Sequence, residues 1–149
     1  MTVSPEVLTA SLTLIGGVLI FIIQKFIILL FIQPHQEFKE AKSKVKYLLL
    51  LNKNIYTNAF DSKGIKKEFE EYVHNSQREL RREWANLYVK YGNLTIRWLV
   101  PKCKDMKTVF DNLIFISNIS IIGYSNNKQT SHDCVEVNKK IDNIFKVLR

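Results

Sequence analysis

Three residue types that can act together in catalysis are adjacent near the C-terminus. His132, Asp133 and Cys134 could supply a base, an orienting carboxylate and a nucleophile. A nucleophile and its base must lie within hydrogen-bonding distance, however, and consecutive residues of a helix point in different directions. The cluster is more typical of the polar start of a helix, where the helix dipole stabilises Asp133. It therefore predicts no catalytic site.

The sequence also lacks other signatures of catalysis or of metal and cofactor binding. Its two cysteines, Cys103 and Cys134, are too few and too far apart for a CxxC metal pair. Neither His35 nor His74 has another His or Cys at the spacing of a metal-ligand pair in the sequence. The chain also contains no Gly-rich phosphate loop, HExxH motif or GxSxG motif. We therefore predict a non-enzymatic protein with no cofactor and no metal ion.

The densest group of charges lies at Arg78, Arg81 and Arg82, shortly before Trp84. Arginines one helical turn apart can hold a phosphate or carboxylate group through paired hydrogen bonds, and a tryptophan can stack on such a ligand. Glu79 and Glu83 partly neutralise this surface, so an ordinary solvated helix face is the alternative. The functional prediction is that the three arginines contact a protein partner or an anion.

The first structural element that the sequence predicts is a long apolar segment near the N-terminus. Residues 7–32 read VLTASLTLIGGVLIFIIQKFIILLFI. As a helix this segment would be roughly 39 Å long, which exceeds the ~30 Å hydrocarbon core of a bilayer. A soluble chain of 149 residues offers too little core to cover the segment on all sides. Residues 1–33 are therefore predicted to form a transmembrane anchor.

A cleaved signal peptide is the alternative for an apolar segment near the N-terminus. Such a peptide has a positively charged start, about 7 to 15 apolar residues and small residues at the cleavage site. Residues 1–6 contain no Lys or Arg, the apolar segment is longer, and the bulky Phe31, Ile32 and Gln33 occupy its end. The sequence therefore favours an uncleaved anchor.

Two strongly polar side chains, Gln24 and Lys25, interrupt the anchor. A charge at the centre of a bilayer costs about 2.5 to 3.5 kcal/mol. Lys25 lies towards the end of the segment, so its long side chain can extend to the headgroups while the helix tilts. The alternative is that Gln24 and Lys25 make a polar contact with other helices inside the membrane.

The residues that flank the anchor predict its orientation. No Lys or Arg precedes the anchor, whereas several lysines follow it. By the positive-inside rule, the N-terminus lies outside the cell, and residues 34–149 lie on the cytoplasmic side of a cell membrane that the chain crosses once. Anionic headgroups attract basic residues close to the membrane. The lysines predicted to contact the membrane surface are Lys25, Lys39, Lys42, Lys44 and Lys46.

Residues 34–149 are enough for one compact domain, and their apolar side chains recur with the period of a helix. Pro34 is expected to end the anchor helix. The predicted helices cover residues 36–59, 65–99, 106–122 and 131–148. The sequence therefore predicts an all-α protein, in which one N-terminal transmembrane helix precedes a cytoplasmic bundle of about four helices.

Several local patterns predict finer detail. The apolar block at residues 48–51 is wider than one helical stripe, so the first helix of the domain is expected to be covered on two sides. Gly92 is expected to weaken or kink the second helix. Asp105 is expected to cap the third helix, and Thr130 or Ser131 the fourth.

One stretch of the chain resembles a pattern found in small uncharacterised bacterial single-pass membrane proteins. These proteins have one N-terminal anchor, a long helix with a Leu-Arg pair, a proline, and then a helix that ends in L-x-x-[LI]-S-N. The resemblance implies a recurring helical module and carries no known activity. It covers residues 77–118, and the matching residues are Leu80, Arg81, Pro101, Leu113, Ile116, Ser117 and Asn118.

The net charge of +8 admits anionic lipid, nucleic acid or an acidic protein as a partner. The basic residues beside the anchor favour lipid, and the partial neutralisation of the arginine surface disfavours nucleic acid. We predict a membrane-anchored interaction or scaffold module at the cytoplasmic face, with a protein partner or a second copy of itself. The alternative is an oligomeric membrane-active effector of the toxin or holin type, in which Gln24 and Lys25 line a permeable path.

Overall fold

The computed structural model describes residues 4–57, 66–95, 100–119 and 129–149, with only the backbone described for 129–133. Every regular element in these ranges is helical, which confirms the prediction of an all-α fold. The elements are α1 (Pro5–Ile27), a π-helical turn (Ile28–Ile32), α2 (Gln33–Leu51), α3 (Lys53–Thr57), α4 (Lys67–Gly92), α5 (Cys103–Asn118) and α6 (Gln129–Val147).

The first three elements form one continuous helix of 47 residues, Pro5–Leu51. Its two halves differ in what they bury. No side chain of α1 is buried. In contrast, α2 buries a stripe of residues at helical spacing, as expected of an amphipathic helix that packs against a domain. That stripe consists of Phe38, Ala41, Val45, Leu48 and Leu49.

The helices from α2 onward pack together as a bundle. α2 packs on α4, α4 packs on α5, and α5 packs on α6, while the short α3 also contacts α6. Each of the four long helices contributes side chains with no exposed surface, and burial of each such aliphatic side chain contributes roughly 1.5 to 3 kcal/mol. These side chains include Val45, Leu49, Leu80, Leu87, Met106, Leu113, Ile141 and Ile144.

The helix predicted over residues 36–59 is divided near its end. α2 ends at Leu51, and α3 begins again at Lys53. The buried Asn52 lies between them, and its side-chain oxygen accepts hydrogen bonds from the hydroxyl groups of Tyr72 (3.1 Å) and Ser76 (3.4 Å). Residues 58 and 59 of the predicted helix lie outside the described residues.

The other predicted helix ends also differ from the structure. α4 ends at Gly92, short of the predicted residue 99, because glycine favours a helix end over a helix interior; residues 65 and 96–99 lie outside the described ranges. α5 begins at Cys103, so Asp105 lies in its first turn and does not cap it. α5 ends at Asn118 and Ile119 is extended, so the predicted helix is too long by at least one residue; residues 120–122 lie outside the described residues.

α6 begins at Gln129, so Thr130 and Ser131 lie within the helix and neither precedes it as a cap. The expectation that residues 48–51 are covered on two sides is also wrong, since the side chains of Leu50 and Leu51 are 61% and 57% exposed. Consecutive residues turn by about 100° around a helix. The block therefore passes from the packed face of α2 to its outer face.

Candidate membrane anchor and interaction surfaces

α1 is long and apolar enough to cross a membrane. Its few hydroxyl groups have hydrogen-bond partners within the helix. Thr9, Ser11 and Thr13 each donate to the backbone carbonyl four residues earlier, at distances of 2.8, 2.8 and 2.9 Å. Backbone and side-chain polar groups that are satisfied inside one helix can enter lipid without losing hydrogen bonds.

Gln24 and Lys25 are both exposed on the outside of α1. The ammonium group of Lys25 lies 5.5 Å from the ring centroid of Phe21, at the distance of a cation–π contact. Lys25 follows Pro5 by twenty positions, or about 30 Å of helix, and precedes Ile32, the end of the apolar segment, by seven positions, or about 10 Å. A helix that tilts enough to bury the whole segment therefore leaves Lys25 close to the headgroups. Both predicted roles, contact with the membrane surface and a polar contact inside the membrane, stay predictions.

The expected break at Pro34 is absent, because the helix widens into a π-helical turn directly before it. The backbone N–H of Gln33 donates to Ile28 O, five residues earlier. Pro34 has no N–H to offer Leu30 O, its usual partner four residues back. The hydroxyl group of Thr95, just beyond the end of α4, donates to that carbonyl at 2.8 Å. The proline therefore marks a point where the domain is attached to the long helix.

A second polar contact ties α4 to the start of α2. The ammonium group of Lys90 lies 2.7 Å from Glu37 Oε2, and the side-chain amide of Gln33 donates to Glu37 Oε1 at 2.9 Å. The hydrogen bonds from Lys90 and from Gln33 hold the pKa of Glu37 below its ordinary value. Together with Thr95, this ion pair attaches the end of α4 to the long helix close to the apolar segment.

The lysines of α2 follow the helix away from the anchor. Lys39 and Lys46 lie about 10 Å and 21 Å beyond Ile32 along the axis. Lys42 is half-buried, and burial together with the nearby charges of Lys46 and Lys39 lowers its pKa. Lys44 is exposed. Contact of all these lysines with the membrane surface requires a strongly tilted helix, and this role stays a prediction.

The three arginines of α4 have different surroundings. Arg78 and Arg82 are exposed. Arg81 donates to the side-chain oxygen of Asn118 at 3.3 Å and so links α4 to the end of α5. Glu83, which the sequence places among the neutralising surface charges, is instead buried, and its Oε1 lies 3.5 Å from Arg82 Nε. Its position on the flank of the apolar stripe is the signal that could have indicated this burial.

The residue types that first indicated chemistry are not brought together. Cys103 lies at the start of α5 and is exposed, and Cys134 lies in α6 and is partly buried; both are free thiols. The side chains of His132 and Asp133 lie outside the described residues. Within the described ranges, no group of three or more His, Cys, Asp or Glu residues is suitably placed to hold a metal ion.

A groove of about 780 Å³, which no sequence pattern predicted, lies between α4 and α5. Its walls are mainly aromatic and aliphatic, and its charged lining residues are Lys107 and Asp111. The ring of Tyr88 packs edge-on against Phe110, with ring centroids 5.0 Å apart. An aromatic residue on the outer flank of an amphipathic stripe was the available sequence signal, but the groove also depends on how α5 packs beside α4.

Comparisons with known proteins add no relative, since no family model, curated protein or solved structure matches the chain. The resemblance of residues 77–118 to small bacterial membrane proteins therefore stays a prediction.

Proposed function

We propose that the protein is a non-enzymatic, single-pass membrane-anchored module that presents a helical domain for interaction or scaffolding at the cytoplasmic face of the cell membrane. The observation that carries this proposal is the change in burial along one continuous helix, from none in α1 to a complete stripe in α2. An apolar helix that the protein leaves uncovered is unfavourable in water and favourable in lipid. The anchor and the first helix of the domain are therefore parts of one continuous helix.

The distribution of charge supports the orientation. Glu6 is the one charged side chain in the described residues before Lys25, whereas α2 carries Lys39, Lys42, Lys44 and Lys46. Basic residues are retained preferentially on the cytoplasmic side of a membrane. We therefore place the N-terminus outside and the helical domain in the cytoplasm.

The buried polar groups support a structural role for the interior of the domain. Asn52 joins the end of α2 to α4. The side-chain amide of Gln77 donates to the backbone carbonyl of Ile119 at 2.8 Å and joins α4 to the end of α5. Both side chains therefore hold helices together in the interior of the domain.

The surface proposed for a protein partner lies on the outer face of α4, at Arg78 and Arg82. Both guanidinium groups are exposed, and arginine is enriched at protein interfaces because it forms paired hydrogen bonds with carboxylates. Such a surface suits an acidic patch on another protein or on a second copy of this chain.

Photo-crosslinking in intact membranes tests this proposal. A photo-reactive residue replaces the exposed Glu79, and crosslinked proteins are identified by mass spectrometry. We expect a specific cytoplasmic partner, or the chain itself, to be captured in a carbonate-resistant membrane fraction. Capture should be lost in the double variant Arg78→Gln, Arg82→Gln and retained in the matched double variant Lys66→Gln, Lys67→Gln, which removes two exposed charges near the start of the same helix.

Two results would contradict the proposal. Recovery of the full chain in the soluble fraction would refute membrane anchoring. Leakage of dye from vesicles that contain the protein, lost in Gln24→Leu, Lys25→Leu while insertion is retained, would replace the interaction module with the oligomeric membrane-active effector.

A further inference from the structure

The groove between α4 and α5 opens close to the point where the chain leaves the apolar segment. Thr95 bonds to Leu30 O, and Lys90 pairs with Glu37, so the last turn of α4 lies beside the start of α2. The hydroxyl group of Tyr91 donates to the backbone carbonyl of Pro101 at 3.3 Å, which places the start of α5 at the same level.

This level corresponds to the headgroup layer of the proposed membrane. Glu37 follows Ile32 by five positions, or about 8 Å along the helix. The headgroup region adds about 5 to 8 Å on each side of the hydrocarbon core. If the hydrocarbon ends near Ile32, the first turn of α5 and the adjoining end of the groove therefore lie among the lipid headgroups.

The groove exposes apolar surface that the protein does not cover. Tyr88 is 59% exposed and Ile114 is 40% exposed, while Trp84, Met106 and Phe110 lie deeper along the lining. A volume of about 780 Å³ falls within the range of small-molecule sites in proteins. An occupant that removes this surface from water must itself be largely apolar.

The end of the groove at the start of α5 is basic. Lys102, Lys104 and Lys107 are exposed at the start of α5, and Lys107 also lines the groove. Lys102, the residue at the helix start, has no side-chain acceptor for the first-turn backbone N–H groups of α5. Helix N-termini attract anions, and phosphate in particular. Asp105 and Asp111 lie on the same part of α5, which leaves a net charge of +1 among these five residues.

We propose that this groove holds an acyl chain of an anionic phospholipid from the adjoining leaflet, with the lipid phosphate at the first turn of α5. Three features combine to select this occupant: the apolar walls, the basic end of the groove, and the position of that end at the headgroup layer. The proposal rests on the proposed membrane anchoring. Lipid would then surround the anchor and also bind the domain as a specific ligand.

Fluorescence quenching by brominated lipid tests the proposal. The chain contains two tryptophans, so Trp98→Phe leaves Trp84, which lines the groove, as the one emitter. This variant of the full chain is reconstituted into vesicles with increasing fractions of phosphatidylglycerol carrying brominated acyl chains. We expect loss of Trp84 emission, and weaker loss with brominated phosphatidylcholine at equal fractions.

Charge variants in the Trp98→Phe background sharpen the test. Lys102→Gln, Lys104→Gln, Lys107→Gln should raise the lipid fraction needed for half-maximal quenching, by up to about fivefold for each lysine. The matched triple variant changes Lys66, Lys67 and Lys139, which are also exposed, to Gln and should leave this fraction unchanged. Ile114→Asp, which introduces a charge into the exposed part of the groove, should abolish quenching.

The possible failures are distinguishable. If the protein floats with the vesicles but Trp84 is not quenched, or is quenched equally by both lipids, the lipid site is refuted and the anchor stands. If a photo-reactive residue at Tyr88 captures a protein while Trp84 stays unquenched, the groove is a protein-docking site. Failure of the chain to float with vesicles refutes the proposed anchoring itself.

Discussion

α1 and α2 belong to the same helix, yet they place their apolar side chains in opposite environments. Leu14 in α1 is 70% exposed, whereas Val45 and Leu49 in α2 have no exposed surface. α2 alternates between apolar and charged residues at helical spacing, and α1 is apolar on every side. The two halves therefore differ in what covers them: the other helices cover α2, and the proposed covering of α1 is lipid.

Substitution of matched leucines should separate the two environments most strongly. Leu80→Ala, in the core of the bundle, should lower the free energy of unfolding by about 2 to 5 kcal/mol because it leaves a cavity. Leu19→Ala removes the same atoms from an exposed position in α1. The melting temperature of the full chain in bilayers, followed by near-ultraviolet circular dichroism, should fall in Leu80→Ala and stay unchanged in Leu19→Ala. Equal shifts would show that α1 also packs on the domain.

A charge introduced into each half should have the reverse effect. Leu14→Arg places a guanidinium group near the centre of the proposed anchor, at a cost of about 2.5 to 3.5 kcal/mol for membrane insertion. Leu50→Arg makes the same change on the exposed face of α2 and should have little effect. The fraction of protein that resists extraction with alkaline carbonate measures the difference. A loss of resistance in Leu50→Arg that equals or exceeds a loss in Leu14→Arg would contradict the assignment of α1 to the membrane.

The junction between the halves should respond to loss of a single hydroxyl group. Thr95→Val removes the hydrogen bond to Leu30 O and should destabilise the attachment of α4 by about 1 kcal/mol. Thr108→Val is the matched control, since Thr108 donates to Lys104 O within its own helix. Hydrogen exchange at the last turn of α4 should accelerate in Thr95→Val. Unchanged exchange there would mean that other contacts hold the junction.

The smallest expected effect is a pH dependence at the same junction. The pKa of Glu37 is lowered from its ordinary 4.5, so the stabilisation by Lys90 is complete above pH 4.5 and is lost as the pH falls through the lower value of the folded protein. The difference in melting temperature between wild type and Glu37→Gln, measured from pH 6 down to acid, isolates this carboxylate from the others. A difference that does not shrink below pH 4.5 would contradict the assignment.

The sequence predicted the features that depend on local periodicity. The stripe Phe38, Ala41, Val45 identified α2, and Gly92 marked the weak point at which α4 ends. The sequence did not predict that the helix continues through Pro34. The π-helical turn and the hydroxyl group of Thr95 compensate for the absent backbone N–H of Pro34, and Thr95 reaches the helix only in the folded domain. Helical period alone identified the elements but not the contacts between them.

The candidate sites were predicted less completely for the same reason. The spacing of Arg78, Arg81 and Arg82 predicts one shared surface, but a hydrogen bond to Asn118, 37 residues away, gives Arg81 a structural partner. Glu83 lies on the border of the buried stripe, and only the packing of α4 in the bundle decides that it is buried. The groove exists through the pairing of α4 with α5, which no single stretch of sequence encodes.

The π-helical turn at Ile28–Ile32 also sets the rotational phase of the anchor relative to the domain. A π turn accommodates one residue more than an α-helical turn, and one residue corresponds to about 100° of rotation. Deletion of a single residue within this turn should therefore restore an ordinary α-helical turn and leave Gln24 and Lys25 at nearly the same azimuth, whereas deletion of Ile27, in the α-helical part, should rotate them by about 100° around the helix. The turn therefore fixes the rotation of α1 relative to α2 about the helix axis, and so determines which side chains of the anchor lie on the same side as the domain.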